Sequence, residues 1–196
     1  GLRASLLALG EACPARRVLS VVDLGYSTKE SAGALPPVHA AGSLRTVLSA
    51  AAHADALCYL DDDCWMAPWH VRALDDALQG FDWAFTRRWF VDAASDRVIA
   101  EDDFESIGPG SHVDTNTLMI RRSRCWDVIA LWSIPLALDG TGEDRRVVAA
   151  LRQSHSVGWT TGPSVYYRLT DNGWRDQGRA RRLRRQGWVP AAADPA

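Results

Sequence analysis

Ala56-Leu57-Cys58-Tyr59-Leu60-Asp61-Asp62-Asp63-Cys64-Trp65-Met66-Ala67-Pro68 is the stretch on which the reading of this chain turns. Five residues able to fill a buried strand lead straight into three acids, and a helical pattern begins after Pro68. Three adjacent carboxylates repel one another, and holding them beside an apolar strand costs desolvation free energy. A divalent cation relieves both costs, and oxygen ligands suit a hard ion, Mg2+ or Mn2+. The carboxyl edge of the strands is also where open α/β sheets bind ligands. A solvated acidic turn is the competing reading; the strand before the acids and the helix after them favour a ligand site.

The rest of the chain is consistent with an α/β domain. It has 196 residues, 47% hydrophobic and 23% charged, enough for one domain with a real core. A formal net charge of −2 gives no bulk attraction to nucleic acid. No apolar run approaches the roughly 18 residues of a membrane span, and Leu6 to Leu9 is too short for a signal peptide. Cys13, Cys58, Cys64 and Cys125 lack CxxC spacing, so reduced thiols and a cytoplasmic setting are expected. Nine tryptophans are many for this length; most should be core, with a few free to line a sugar-binding cleft.

Taken in order, Leu2 to Glu11 has helical spacing, and Arg17 to Asp23 reads as a buried parallel strand ending in a turn. Asp23 is either a turn former or a contact for a ligand's hydroxyl or base. Val38 to Ala40 reads as a short strand, and Gly42 to His53 as a helix capped by Ser43. That places Arg45 in a first turn, where a cation opposes the helix dipole unless it serves an anion; an ordinary surface arginine is the alternative. A helix follows from Trp69 to Leu78, then a strand from Phe81 to Thr86 and a hairpin from Arg88 to Asp92 with Arg97 to Ile99. Thr117 to Ile120 is a strand, Ser123 a candidate cap for the helix after it, and Ser164 to Leu169 the terminal strand. The glycine-rich Asp139 to Gly142 delivers Glu143 and Asp144 to the first turn of a helix, a position acids favour. From Arg175 to Arg185 there are six arginines, read as a solvated basic helix before a disordered Pro- and Ala-rich end, with an anionic-surface contact possible.

A metal-bound diphosphate facing a carboxylate base suits transfer from an activated donor to a hydroxyl, although phosphoester hydrolysis and nucleotidyl transfer use similar parts. In order and spacing, these segments resemble family 2 glycosyltransferases of the GT-A fold, similar to the bacterial spore-coat glycosyltransferase. Arg17 to Asp23, Gly42 to Ala52 with Arg45, Tyr59 to Pro68, His112 to Ser123 and Gly142 to Arg145 carry the likeness, across about residues 3 to 170.

The resemblance implies a single-domain, three-layer α/β/α GT-A domain over residues 1–172 with a basic tail over 173–196. The chain begins at the helix that follows the family's first strand, so that strand is expected to be lacking. Asp23 would contact the nucleotide base or ribose, and Arg45 the nucleotide or its phosphates. Asp61, Asp62 and Asp63 would serve ribose, diphosphate and metal, with Asp63 and Asp61 as metal ligands and Mn2+ or Mg2+ the ion. Asp114 would line the donor-sugar or acceptor pocket. Asp144 would deprotonate the acceptor hydroxyl with Glu143 beside it, inverting the anomeric carbon. The implied partners are a nucleotide sugar and a hydroxyl-bearing acceptor: a saccharide, lipid-linked sugar or natural product. Where the family has Asp-Asp-Gly-Ser this chain has Asp23-Leu24-Gly25-Tyr26. A non-catalytic nucleotide-sugar-binding or scaffold protein with a degenerate GT-A fold, and a metal-dependent phosphotransferase, are the alternatives.

Overall fold

Strand alternation builds the architecture. In the computed structural model, which describes residues 37–103, 110, 112–134, 142–169, 177–185 and 187, one residue parity of each central strand faces one layer and the other parity faces another. Strands β1 (Ala56–Cys58), β2 (Trp65–Met66), β3 (Trp83–Asp92), β4 (Val98–Glu101), β5 (Leu118–Arg121) and β6 (Val157–Leu169) form one sheet. Its order is β1-β5-β3-β6-β2, with β4 also paired to β3; β3 and β6 are parallel and every other pair is antiparallel.

Leu57, Trp83, Phe85, Leu118 and Ile120 face one side, packing with Trp132, Val147, Val148 and Leu151. Ala84 and Met119 face the other, against Leu74 and Leu78. The first side is covered by α4 (Glu143–Ser154), a short helix α3 (Trp126–Ile129) and the 3-10 turn Ala130–Ser133, and the second by α2 (His70–Ala77). Helices on both faces of one sheet make a three-layer α/β/α fold.

Several local expectations need correction. The helix expected from Gly42 begins earlier, as α1 (Pro37–Ala51), and so takes in the Val38 to Ala40 stretch read as a strand. Pro37 suits a first helical position because its missing N–H would have no partner there. Ser43 therefore lies inside the helix rather than at its cap, and Arg45 sits mid-helix, where the dipole argument for an anion loses its force. Ser123 caps nothing: Cys125 is the residue preceding α3, with no side-chain capping bond. The separate strand and hairpin arm read at Phe81 to Asp92 are one strand, β3, broken in register between Phe85 and Arg88 where it runs beside β6. That irregularity interrupts the alternation, which is why the sequence suggests two pieces.

The hairpin, the Trp69 to Leu78 helix and the Glu143 helix stand as expected, while β6 starts seven residues before Ser164 and ends at Leu169. Trp65, Tyr166 and Trp89 lie directly opposite one another on β2, β6 and β3 and stack at 5.1 and 4.6 Å, a cross-strand row that ties the short β2 to the sheet. On the α2 side, His70 Nδ1, Ser164 Oγ and Thr86 Oγ1 are linked at 2.8 Å each, and burial pushes His70 down to about 3, so it stays neutral. In the basic helix α5 (Gln177–Arg185), Leu183 is buried against Phe90 and Leu169, and Arg181, Arg182, Arg184 and Arg185 are exposed. Among the described residues Cys58, Cys64 and Cys125 are free, and no helix is long and apolar enough to cross a membrane. The helix and strand read before Ser27, Cys13 and the residues after Gly187 lie outside the described residues.

Candidate active site

The acid triplet is held by its first member. Asp61 donates its backbone N–H to Asn116 Oδ1 at 2.6 Å, and its Oδ2 accepts from Asn116 Nδ2 at 3.1 Å. Its Oδ1 accepts from Arg45 Nη2 at 2.5 Å. Cys64 N–H closes the turn onto the Asp61 carbonyl at 3.2 Å. Asp62 and Asp63 are left exposed on the turn, with Asp63 Oδ1 accepting from the buried Cys64 thiol at 3.3 Å. The strand leading in is fixed by Tyr59, whose hydroxyl bonds Ser49 Oγ of α1 at 2.8 Å and whose ring meets Trp132 edge-on at 5.2 Å.

Asn116 connects this turn to a second acid. Asp114 caps the 3-10 turn Thr115–Thr117, its Oδ1 accepting from Asn116 N and Nδ2, both at 2.9 Å. Its Oδ2 accepts from Arg88 Nη1 at 2.5 Å, while Arg88 Nε bonds Asp102 Oδ2 at 2.9 Å. Arg88 and Asp102 are fully buried. Burial works to raise the Asp114 pKa, but Arg88 and the two Asn116 bonds prevail and hold it below the usual carboxylate range.

The third part is the start of α4. Gly142 takes a left-handed φ of +84°, turning the chain so that Glu143 and Asp144 form the first turn. Both acids benefit from the helix dipole. Glu143 is buried and its Oε1 lies 3.7 Å from Arg45 Nη1; Asp144 is half-buried, its Oδ1 accepting from Arg145 N–H at 2.8 Å.

One guanidinium therefore joins the two acid clusters. Arg45 pairs with Asp61 through Nη2, approaches Glu143 through Nη1, and lies 5.3 Å over the Trp132 ring. Burial alone would lower its pKa, but Asp61, with Glu143 and Asp114 behind it, raises it above the ordinary arginine value. The structure brings Arg45, Asp61, Asp114 and Glu143 into one network, with Asp62, Asp63 and Asp144 as immediate chain neighbours. Asp23 lies outside the described residues. Asn116, Arg88, Asp102 and Trp132 were given no role from sequence. An Asp-x-Asn pair is a recognisable local turn signal, but nothing in it announces that Asn116 reaches back to Asp61 across 55 residues.

Gly42 is what lets Arg45 reach this position. A Cβ there would lie 2.0 Å from the Trp132 carbonyl oxygen, so α1 touches the 3-10 turn backbone to backbone. Gly→Ala inside a helix ordinarily gains about 1 kcal/mol of propensity. Here overpacking, which costs about 1–3 kcal/mol, should win. Gly42→Ala is expected to lower the thermal midpoint; a rise would show that the contact yields easily.

Among the described residues no group of three or more His, Cys, Asp or Glu side chains could hold a metal. The donors present suit a shared site instead. Mg2+ commonly takes one or two carboxylates and completes its shell with substrate phosphates and water, and Asp62 and Asp63 are exposed carboxylates of that kind. Asp61 fits less well, since both its oxygens already accept from Arg45 and Asn116.

No protein-family model matches the chain, and no curated protein matches it. Among solved structures, the crystal structure of S. aureus TarS 1-349 in complex with UDP matches at 13% identity with a TM-score of 0.48. The match covers 74% of this chain and 44% of that one, so the chain spans less than half the length of TarS 1-349.

Proposed function

We propose that the chain is a metal-dependent, inverting glycosyltransferase that moves a sugar from a nucleoside-diphosphate donor to a hydroxyl acceptor. The observation that carries this is the Arg45 guanidinium paired with Asp61 and lying 3.7 Å from Glu143, so that the acid turn and the α4 N-terminus are neighbours. Asp62 and Asp63 would hold the donor diphosphate jointly with a divalent ion. That ion, when bound, neutralises charge on the departing diphosphate. Asp144 takes the proton of the acceptor hydroxyl as the acceptor oxygen bonds to the anomeric carbon. The bond from that carbon to the diphosphate breaks, and its electron pair leaves with the nucleoside diphosphate. Attack opposite the leaving group inverts the centre.

The reading is tested by thermal unfolding with a panel of nucleoside diphosphates, with and without Mn2+, followed by assay of nucleotide-sugar turnover. A ligand at a hundredfold excess over its Kd should stabilise by about 2.7 kcal/mol. Mn2+-dependent stabilisation with release of nucleoside diphosphate is expected. Binding without turnover across a broad acceptor panel would favour the scaffold alternative, and release of nucleoside monophosphate a phosphotransferase.

A further inference from the structure

We infer that Arg45 is a positioning residue that sets the distance and angle between the donor-side acids and the α4 base, rather than a contact to the nucleotide. The inference rests on the transferase reading and departs from the role the sequence resemblance implies for Arg45. Three observations support it. The guanidinium is already engaged: Nη2 on Asp61, Nη1 near Glu143, and its face over Trp132, with 14% of the side chain exposed. Its helix is seated by backbone contact, because Gly42 lies against the Trp132 carbonyl one turn before it. Its partners sit beside the reacting groups: Asp61 precedes Asp62 and Asp63, and Glu143 precedes Asp144.

A rigid planar fork can hold two carboxylates at once, which a lysine ammonium on a flexible stem does poorly. Glu143 then acts through Arg45 rather than on substrate. A substitution at Arg45 or at Glu143 removes the same Arg45–Glu143 ion pair between the two acid clusters.

The test uses the full chain with UDP-glucose, UDP-N-acetylglucosamine, GDP-mannose and dTDP-rhamnose as donors, following whichever the wild type turns over. Arg45→Met and Glu143→Gln should each lower kcat, since displacing a reacting group by about 1 Å can cost 10²-fold. The Kd for the matching nucleoside diphosphate should change little. The double variant should be no slower than the worse single one, and Arg45→Lys should recover only part of the rate. Glu143→Gln is nearly isosteric and keeps the Arg45–Asp61 pair, so it reports even if Arg45→Met folds poorly. A Kd that rises in step with the loss, at unchanged kcat, would make Arg45 a nucleotide contact and overturn the inference. Additive losses in the double variant would overturn it as well. A wild-type chain that neither binds a nucleoside diphosphate nor turns over any donor would instead remove the transferase reading underneath.

Discussion

Asp144→Asn is expected to lower turnover by about 10²–10⁴-fold, the usual contribution of a general base, with nucleoside-diphosphate affinity nearly intact. The substitution is a clean one. Asn keeps the Oδ1 that accepts from Arg145 N–H, so the first turn of α4 retains its local bond. Asp144 is also absent from the ion-pair network around Arg45, which runs through Glu143 instead. What disappears is the ability to accept a proton, together with a helix-dipole interaction worth about 0.3–1 kcal/mol. A large loss in kcat with a small shift in thermal midpoint is therefore the signature of a base. Wild-type turnover in the variant would remove Asp144 from the mechanism, and an equal loss of nucleotide affinity would move it to the donor side.

Which parts of this molecule were legible from sequence follows from the range of the forces involved. The Glu143–Asp144 helix start was readable because its cause is local: a glycine turn, then acids where the dipole favours them. The strand before the acid triplet was readable for the same reason, an apolar run followed by a charge cluster, although only Ala56–Cys58 of the five residues pairs in the sheet. The beginning of α1 was not, because β-branched Val38 beside His39 resembles an extended piece, a weak preference that the helix from Pro37 overrides. β3 misled for another reason: its register irregularity breaks the period-two pattern, and only pairing with β6 shows that the strand continues. Most of the site's wiring is long-range. Arg45 meets a carboxylate 16 residues on and Asn116 meets one 55 residues back, so spacing alone could place these residues in a region but not pair them.

Arg88 carries the second large prediction. Arg88→Met is expected to destabilise the fold by about 3–5 kcal/mol, because it leaves buried carboxylates without their cation. Arg88 is fully enclosed, with Nε on Asp102, Nη1 on Asp114, and its guanidinium 4.6 Å over the Tyr167 ring and 5.1 Å over Phe90. Met replaces much of the volume, so cavity formation is a minor part of the cost. The pH dependence separates this cause from simple loss of packing. In the wild type Asp114 is held below its ordinary pKa, so it contributes stability above about pH 3.9 that is lost as pH falls through the folded value. Without Arg88, the strongest of the influences that lower it, the burial that already opposes ionisation pushes Asp114 upward. Its protonation then relieves the fold rather than weakening it. The stability gap between wild type and variant, measured by urea unfolding, should be widest near neutral pH and narrow on acidification. A gap that stays constant with pH would assign the cost to packing. A gap below about 0.5 kcal/mol, the scale of surface substitutions, would mean that the Arg88 pairs add nothing net to the fold.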